Sequence, residues 1–217
     1  MTHILEADGI QLAFNGRTIL SDIYLKAATG SITGLLGRNG EGKSCLLKII
    51  YGSLPGQKSI RFNGQPQYEA YRQPGLLHYL PQFNFIPKSL SLKRIFADFA
   101  LDYALFQQNF PEFTTKYNLG AGRLSGGELR MVELYIVVKP RAQFALLDEP
   151  FTHLNLLQIE KVKKMLLEEK QQKGLLITDH LYRHVTGISD KLYVLTGGKT
   201  YLTKSTEELE KLGYAKL

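Results

Sequence analysis

The sequence predicts an α/β fold: a mainly parallel sheet covered by helices, with an antiparallel β part at the N-terminus and a helical insertion. Short apolar runs alternate with helix-length segments along most of the chain, which is typical of parallel sheets. A glycine-rich loop joins one such run to a helix at residues 37–44, and residues 83–140 change to a helical pattern. We therefore expect one domain over 1–217, with a core of residues 1–82 and 141–217 and a helical subdomain over 83–140.

The antiparallel part is predicted as two strands joined by a tight turn. Residues 10–14 alternate apolar and polar side chains, Asn15-Gly16 is a dipeptide common in hairpin turns, and residues 19–25 resume the apolar pattern. A buried strand is expected next at residues 32–36, because all five positions are apolar or small.

The later elements follow from the same patterns. Gly52 is predicted to end the helix that follows the glycine-rich loop. Strands are predicted at residues 59–62, 76–80, 144–147 and 175–178, a helix at 155–172 that stops at Gly174, and a hairpin at 191–203 centred on Gly197-Gly198. Ser205 with Glu208 predicts a capping box for a last short helix.

Two helices are predicted in the insertion. Ser91 is a typical N-cap, and apolar residues after it recur at three- and four-residue steps on one helical face: Leu92, Ile95, Phe96, Phe99, Tyr103 and Phe106. Such a stripe is typical of a face that packs into the core. The second helix is expected to start near Gly126 and to run to about Val138.

The glycine-rich loop carries the strongest chemical signal. Gly37-Arg38-Asn39-Gly40-Glu41-Gly42-Lys43-Ser44 matches the G-x-x-x-x-G-K-[ST] phosphate-loop pattern. Glycines let successive backbone N–H groups point at phosphate, and the helix N-terminus adds free N–H groups and the positive end of a dipole. Lys43 supplies a cation for the β/γ-phosphates, and the Ser44 hydroxyl can ligate Mg²⁺. The alternative is a chance glycine turn, against which the flanking strand and helix argue.

Composition restricts the class of protein. No apolar run reaches the ~18–20 residues that span a bilayer, and residues 1–8 lack the features of a signal peptide. The single cysteine, Cys45, cannot form an internal disulfide, which suits a reducing compartment. The formal net charge of +7 permits an anionic partner, but the lysines are scattered, so we expect no specific nucleic-acid binding.

Several further motifs stand in a fixed order along the chain. Gln82 follows a short strand, Leu124-Ser125-Gly126-Gly127-Glu128 opens the second helix of the insertion, residues 144–149 form an apolar strand that ends in two carboxylates, and His180 ends the next strand. With the phosphate loop, they resemble the Walker A, Q-loop, signature, Walker B and switch histidine of the ATP-binding cassette (ABC) ATPases. The signature discriminates most, because many nucleotide-hydrolysing families share Walker A. The resemblance spans nearly the whole chain and implies a RecA-like P-loop NTPase core with a signature-bearing helical subdomain.

The resemblance also implies an activity, Mg²⁺-dependent hydrolysis of ATP. Lys43 and the loop amides would stabilise the β/γ-phosphates, and the Mg²⁺ would be held by Ser44, Gln82 and Asp148. Glu149 would polarise the attacking water, and His180 would contact the γ-phosphate and orient Glu149. The remaining nucleotide contacts would come from Cys45, from an adenine-stacking Phe14 and, in another copy of the chain, from Ser125, Gly126 and Gly127.

Most of these residue types also have an ordinary structural use. Asp148 could cap a turn, Glu149 could be a structural acid near Lys43, and His180 could be a surface histidine. A loop glutamine such as Gln82 is common, and Ser125 could simply cap its helix. Phe14 could belong to the core, in which case adenine would be contacted by Tyr24 or Arg17.

Three positions depart from the family pattern. Cys45 stands where Ser or Thr is usual, which removes a good hydroxyl donor and places a thiol beside the phosphates. Asn155 stands where the loop after Walker B usually has Asp, and in the family that loop bridges the two sites of a dimer. Glu128 replaces the usual Gln of the signature. The insertion between Gln82 and Ser125 is also short for the family, which limits the groove available to a membrane partner.

The first functional hypothesis is the ATP-binding subunit of an ABC transporter, cytoplasmic and held on the inner face of the membrane by separate transmembrane permease subunits. It would form an ATP-sandwich dimer with a second copy of itself. The alternatives are a soluble, non-transport ABC ATPase of iron–sulfur assembly or nucleic-acid metabolism, and a nucleotide-gated interaction module with little turnover. The intact set of Lys43, Asp148, Glu149 and His180 disfavours the module.

Overall fold

A computed structural model describes residues 2–203 and 208–209 of the chain. Its strands are β1 (Ile4–Phe14), β2 (Arg17–Ala28), β3 (Ile32–Leu36), β4 (Gln57–Phe62), β5 (Gln65–Pro66), β6 (Leu77–Leu80), β7 (Phe144–Asp148), β8 (Gly174–Thr178), β9 (Lys191–Thr196) and β10 (Lys199–Thr203). Its α-helices are α1 (Lys43–Tyr51), α2 (Leu92–Asp98), α3 (Tyr103–Asn109), α4 (Gly126–Val138), α5 (Leu156–Glu169) and α6 (Tyr182–Thr186).

The strands form one sheet in the order β5-β4-β1-β2-β10-β9-β3-β8-β7-β6. Strands β9, β3, β8, β7 and β6 are parallel to one another, whereas β1, β2, β4 and β5 pair antiparallel at the other side. The α/β class with an antiparallel N-terminal part is thus confirmed. Because β3, β7 and β8 run side by side, the loops that follow them leave the same edge of the sheet, where ligands of such sheets bind.

The N-terminal hairpin forms as the sequence predicts. Phe14 pairs with Arg17, and the two turn residues between them, Asn15 and Gly16, both have positive φ angles, 49° and 78°. Two-residue turns of this kind match the twist of the flanking strands and favour Asn-Gly.

The core consists of two apolar clusters. One is built on β1, β2 and α1 and contains Leu5, Ile23 and Leu46. The other joins the parallel strands to the helices of residues 92–138 and contains the aromatic residues Phe96 and Phe106. Burial of large aromatic side chains contributes strongly to stability, and Phe96 and Phe106 lie with ring centroids 4.9 Å apart. Helix α4 is buried along most of its length in the same cluster and contacts β6, so it joins the helical insertion to the sheet.

The apolar stripe of the insertion lies on two helices, so its interpretation as one helical face is wrong in part. Helix α2 ends at Asp98, Ala100 has a φ of 51°, and Asp102 caps α3 by accepting a hydrogen bond from the Ala104 amide at 2.7 Å. Phe99 lies at this break and is 42% exposed, whereas the other stripe residues are buried. Both N-caps here are local side-chain oxygens, as expected for Ser and Asp.

Helix α4 has the bounds that the sequence predicts, and Ser91 and Gly52 cap their helices as predicted. The helix predicted over 155–172 ends earlier, at Glu169, and Gly174 begins β8 instead of ending the helix. A Cβ on Gly174 would lie 2.5 Å from Phe144 Cδ1 and 2.8 Å from the Ala28 carbonyl, so the close approach of β7 and of the end of β2 requires glycine there. The predicted capping box at Ser205 lies outside the described residues. Across the described part of the chain, no helix is both long and apolar enough to cross a membrane.

Candidate active site

The phosphate loop follows β3 and leads directly into α1. Gly42 is the N-cap of α1 with a φ of 97°, and a Cβ there would lie 2.8 Å from Ile19 Cγ2. Neither the conformation nor the space admits a larger residue. No side chain caps this helix end, so the first amides of α1 are free to bind an anion.

Lys43 lies buried against its own loop, with 6% exposure. Its amine donates to the carbonyls of Gly37 at 2.7 Å and Arg38 at 3.1 Å. Burial lowers the pKa of Lys43, and the carboxylates of Glu149 and Asp148 oppose that shift. The lysine is therefore a desolvated cation close to two acids and hydrogen-bonded to neutral carbonyls.

Asp148 ends β7 and is the centre of a group of hydroxyls. Its Oδ1 accepts from Ser44 Oγ at 3.0 Å and Thr178 Oγ1 at 2.9 Å, and its Oδ2 accepts from Tyr79 at 3.0 Å. Burial, followed by Asp148 itself, raises the pKa of the Tyr79 phenol, so Tyr79 stays a proton donor. Sequence reasoning missed Tyr79 and Thr178, although Thr178 pairs with Asp148 in the sheet and ends its strand as Asp148 does.

Glu149 lies just beyond β7 in the left-handed region, with a φ of 49°. Its amide donates to the Thr178 carbonyl at 2.9 Å, and its Oε2 accepts from Thr152 Oγ1 at 3.3 Å and lies 3.5 Å from His180 Nδ1. The chain leaves β7 at Glu149, whose left-handed backbone conformation is strained for a residue other than glycine.

One cavity of about 620 Å³ brings most of the predicted residues together. It is lined by Phe14, Ile19, Asn39, Gly40, Gly42, Lys43, Ser44, Cys45, Gln82, Glu149 and His180. Phe14 is 48% exposed, so a ring surface is available at the rim. The alternatives for adenine contact, Tyr24 and Arg17, are not among these lining residues. Of the other loop residues, Glu41 accepts a hydrogen bond from the Gly197 amide at 3.1 Å and ties the loop to the β9–β10 turn.

The signature turn does not line this cavity. Ser125 caps α4 and forms a capping box with Glu128, which also contacts Lys116. A Cβ on Gly127 would lie 2.8 Å from the His153 carbonyl and 2.6 Å from Gln158 Oε1. Thus Ser125, Gly126 and Gly127 present a helix N-terminus at another place on the surface, packed against the loop that follows Walker B.

Asn155, the second departure from the family pattern, has a structural use in that loop. Its side chain accepts from the Gln158 amide at 3.0 Å, and the Gln158 side chain accepts from the Asn155 amide at 3.0 Å. This reciprocal box caps α5, a use for which Asn and Asp serve about equally well. Cys45, the first departure, is half-buried, and burial raises the pKa of its thiol.

A buried ion pair on α4, Arg130 with Glu133, was missed from the sequence. Both residues are 0% exposed, with Arg130 Nη1 3.4 Å from Glu133 Oε2. Two opposite charges three residues apart within the otherwise apolar run 129–138 were the signal available. Their partners lie in distant segments and could not be inferred.

This chain is similar in sequence to known proteins. The family model described as "ABC transporter" matches residues 20–152. A lipopolysaccharide export system ATP-binding protein LptB from Acidithiobacillus ferridurans is 28% identical, covering 96% of this chain and 93% of the relative. The LptB protein of Escherichia coli (strain K12) is 29% identical, covering 89% and 87%.

Solved structures agree with this chain in fold. The ATP binding subunit of an ABC transporter superposes with a TM-score of 0.80 at 20% identity, covering 97% of this chain and 94% of the other. A bacterial Atm1-family ABC exporter with ATP bound gives a TM-score of 0.84 at 17% identity, covering 97% of this chain and 40% of the exporter.

Proposed function

Since this chain belongs to the ABC transporter family, whose ATP-binding subunits hydrolyse ATP, we propose that its own turnover takes place in the cavity beside β3 and drives transport through separate transmembrane subunits. One observation carries the proposal: that cavity gathers Lys43, Gln82, Glu149 and His180 around the phosphate loop. A phosphoryl-transfer site needs a cradle and a cation for phosphate and residues that position the attacking water.

Mg²⁺ fits the donors present. Ser44, Asp148 and Gln82 offer a hydroxyl, a carboxylate and an amide oxygen, which are the hard oxygen ligands this ion prefers. The 3.0 Å hydrogen bond from Ser44 to Asp148 already holds two of these groups together. Held by these three residues, Mg²⁺ would supply positive charge that offsets the negative charge of the phosphates.

The chain's own groups perform the remaining work. Lys43, released from the Gly37 and Arg38 carbonyls, binds the β/γ-phosphates, and the free amides of α1 hold the same charge. Glu149 accepts a hydrogen bond from the attacking water, and His180, 3.5 Å from its carboxylate, orients it. Phe14 covers adenine at the rim.

The position of the signature favours a dimer. Ser125, Gly126 and Gly127 form a phosphate-binding type of helix N-terminus but do not line the cavity of their own chain. Two copies arranged head-to-tail would bring each signature to the γ-phosphate on the other's loop. Closure would then depend on the γ-phosphate, and hydrolysis would release it.

The decisive experiment compares steady-state ATPase activity of the wild type, Glu149→Gln and the matched control Glu160→Gln. Glu160 is an exposed acid that pairs with Lys163 across one helical turn. We expect Glu149→Gln to lose activity about 10²-fold or more and to shift to a dimer with ATP on gel filtration, whereas the control stays unchanged. Equal activity of all three proteins, with or without copurified membrane partner, would refute the proposed catalytic role.

The coupling to transport needs its own test. We expect the tagged chain, isolated from native membranes, to copurify with a multi-span membrane protein, which would also identify the substrate. Recovery of the chain only with soluble iron–sulfur or nucleic-acid proteins would favour the non-transport alternative instead.

A further inference from the structure

The Arg130–Glu133 pair has an unusual set of partners. Each residue is fully buried, and apart from each other they bond to backbone atoms of two distant segments. Charged residues are rarely buried to this extent unless paired and hydrogen-bonded. The identity of those backbone atoms shows what the pair holds in place.

One group of partners flanks Gln82 on both sides. Arg130 Nη1 donates to the carbonyl of Pro81 at 2.8 Å. Glu133 Oε1 accepts from the amide of Phe85 at 2.8 Å and from that of Ile86 at 3.4 Å. The segment that carries Gln82 into the cavity is therefore fastened to α4 at both of its ends.

The other group of partners carries the two carboxylates. Arg130 Nη2 donates to the carbonyl of Asp148 at 2.8 Å and to that of Glu149 at 3.0 Å. Glu149 has the positive φ described above, a conformation that persists only when surrounding contacts enforce it. The Arg130 bond and the bond from the Glu149 amide to Thr178 fix this residue from both sides of its backbone.

We propose that Arg130 and Glu133 are positioning residues that lock Gln82 and Glu149 into one geometry relative to α4, the helix whose N-terminus is the signature turn. A movement of the signature is then transmitted through one buried pair to both catalytic segments. The proposal rests on the roles proposed above for Gln82 and Glu149.

The pKa shifts of Arg130 and Glu133 agree with a positioning role for the pair. Burial lowers the pKa of Arg130 and raises that of Glu133, so for both groups desolvation outweighs their attraction. Arg130 Nε, moreover, has no hydrogen-bond partner among the described residues. A buried pair of this kind adds little net stability compared with apolar residues, and such pairs are retained in some proteins because they specify one conformation.

The test uses the absence of tryptophan from the sequence. Phe83, 65% exposed and adjacent to Gln82, is replaced by Trp to give a single reporter on the Gln82 segment. In this background we compare Arg130→Lys, which cannot reach three carbonyls with one amine, and the double variant Arg130→Gln with Glu133→Gln, which leaves no unpaired charge. The matched control is Lys173→Met, because Lys173 is also a buried cation that donates to two carbonyls, those of Val138 and Pro140, at the other end of α4.

For both α4 variants we expect kcat to fall between about tenfold and a hundredfold, with KM for ATP changed by less than about threefold. Their tryptophan response to MgATP should be reduced, and anisotropy should show a more mobile segment. Lys173→Met should lower the melting temperature but keep kcat and the tryptophan response of the folded protein.

Two results would overturn the proposal: kcat within about twofold of the parent together with an unchanged tryptophan response, or losses in Lys173→Met that match those of the α4 variants at equal melting temperature. Glu149→Gln is measured in the same series. If Glu149→Gln retains activity, the proposed catalytic role of Glu149 is wrong. If Glu149→Gln is inactive while the α4 variants are fully active, only the positioning role of Arg130 and Glu133 is refuted.

Discussion

The two edges of the parallel sheet each hold one buried lysine, and the lysines differ in their partners. At the edge where β3 and β7 end, Lys43 is 6% exposed and donates to the neutral carbonyls of Gly37 and Arg38. At the edge where β7 and β8 begin, Lys173 is 2% exposed, donates to carbonyls at the end of α4, and lies 3.4 Å from Glu169 Oε2. Burial lowers the pKa of both.

The difference separates a binding site from a structural contact. The edge where β3 and β7 end is therefore called the functional edge, and the edge where β7 and β8 begin is called the structural edge. Lys173 has its anion within the fold, and it satisfies carbonyls that a helix C-terminus leaves open. Lys43 is near two acids, but its hydrogen bonds go to carbonyls that a phosphate can replace. We infer that Lys43 contributes to ligand binding and Lys173 to folding, and each variant below tests one side of this comparison.

The largest effect is expected for Lys43→Met. Loss of the cation should lower kcat/KM for ATP by about 10²–10³-fold, because the β/γ-phosphates lose their main charged donor. The free energy of unfolding should stay within about 1 kcal/mol of the wild type, since relief of desolvation offsets the lost attraction to Glu149 and Asp148 and the two lost hydrogen bonds of Lys43. ATPase assays with urea denaturation check both, and a variant that unfolds early yet hydrolyses ATP normally would break the comparison.

Lys173→Met should show the reverse pattern. Glu169 keeps its ion pair with Lys139 at 2.8 Å but loses Lys173 as its second cation. The carbonyls of Val138 and Pro140 also lose their donor. We expect the free energy of unfolding to fall by about 3 kcal/mol. Turnover per folded molecule should remain near that of the wild type, as measured by ATPase activity below the unfolding transition. Impaired nucleotide binding in this variant would place Lys173 in the functional machinery.

The predictability of the two edges also differs. The functional edge was largely predictable, because phosphate chemistry demands a contiguous run from Gly37 to Ser44 and because carboxylates at the end of an apolar strand stand out. What stayed hidden depends on distant segments: the Tyr79 bond to Asp148 joins residues 69 apart in sequence, and Arg130 reaches the Pro81 carbonyl 49 residues away. No local pattern encodes such pairs.

The structural edge was predicted poorly for a related reason. Gly174 was predicted to be a helix stop because glycine is common there, whereas glycine is required by the close approach of Phe144 on β7 and of Ala28 at the end of β2. The break between α2 and α3 likewise depends on how the two helices pack, since the apolar spacing continues through Phe99. Periodicity identifies apolar faces but not the place where the chain turns.

A third variant, Gly174→Ala, tests the packing at the structural edge. The added Cβ would meet Phe144 at 2.5 Å and the Ala28 carbonyl at 2.8 Å, so one neighbour must move. We expect a loss of about 2 kcal/mol in the free energy of unfolding. Gly64→Ala is the control, because nothing lies within 4 Å of its added Cβ and only the cost of its positive φ, about 1 kcal/mol, remains. Equal losses would show that strand packing at Gly174 is not tight.

The smallest effect concerns two aspartates, again one at each edge. At the functional edge, burial raises the pKa of Asp179, which accepts hydrogen bonds from the Leu181 and Phe151 amides. At the structural edge, burial also disfavours the charge of Asp190, but Lys170 at 2.9 Å and the Ile32 amide at 2.7 Å outweigh it, so its pKa is lowered. The two carboxyls therefore affect stability in opposite directions as pH changes.

Asp190 contributes stability that is fully present above its unfolded pKa, about 3.8, and is lost as pH falls through the lower folded value. Asn in its place keeps an oxygen for the Ile32 amide but not the attraction to Lys170. We expect Asp190→Asn to cost less than about 1 kcal/mol at pH 7, because the side chain is 40% exposed and water screens the pair. In urea unfolding from pH 7 to pH 3 the gap to the wild type should narrow, since protonated Asp190 resembles Asn. A gap that widened toward low pH would mean that the folded pKa of Asp190 is raised, as it is for Asp179, and the contrast between the edges would fail at this position.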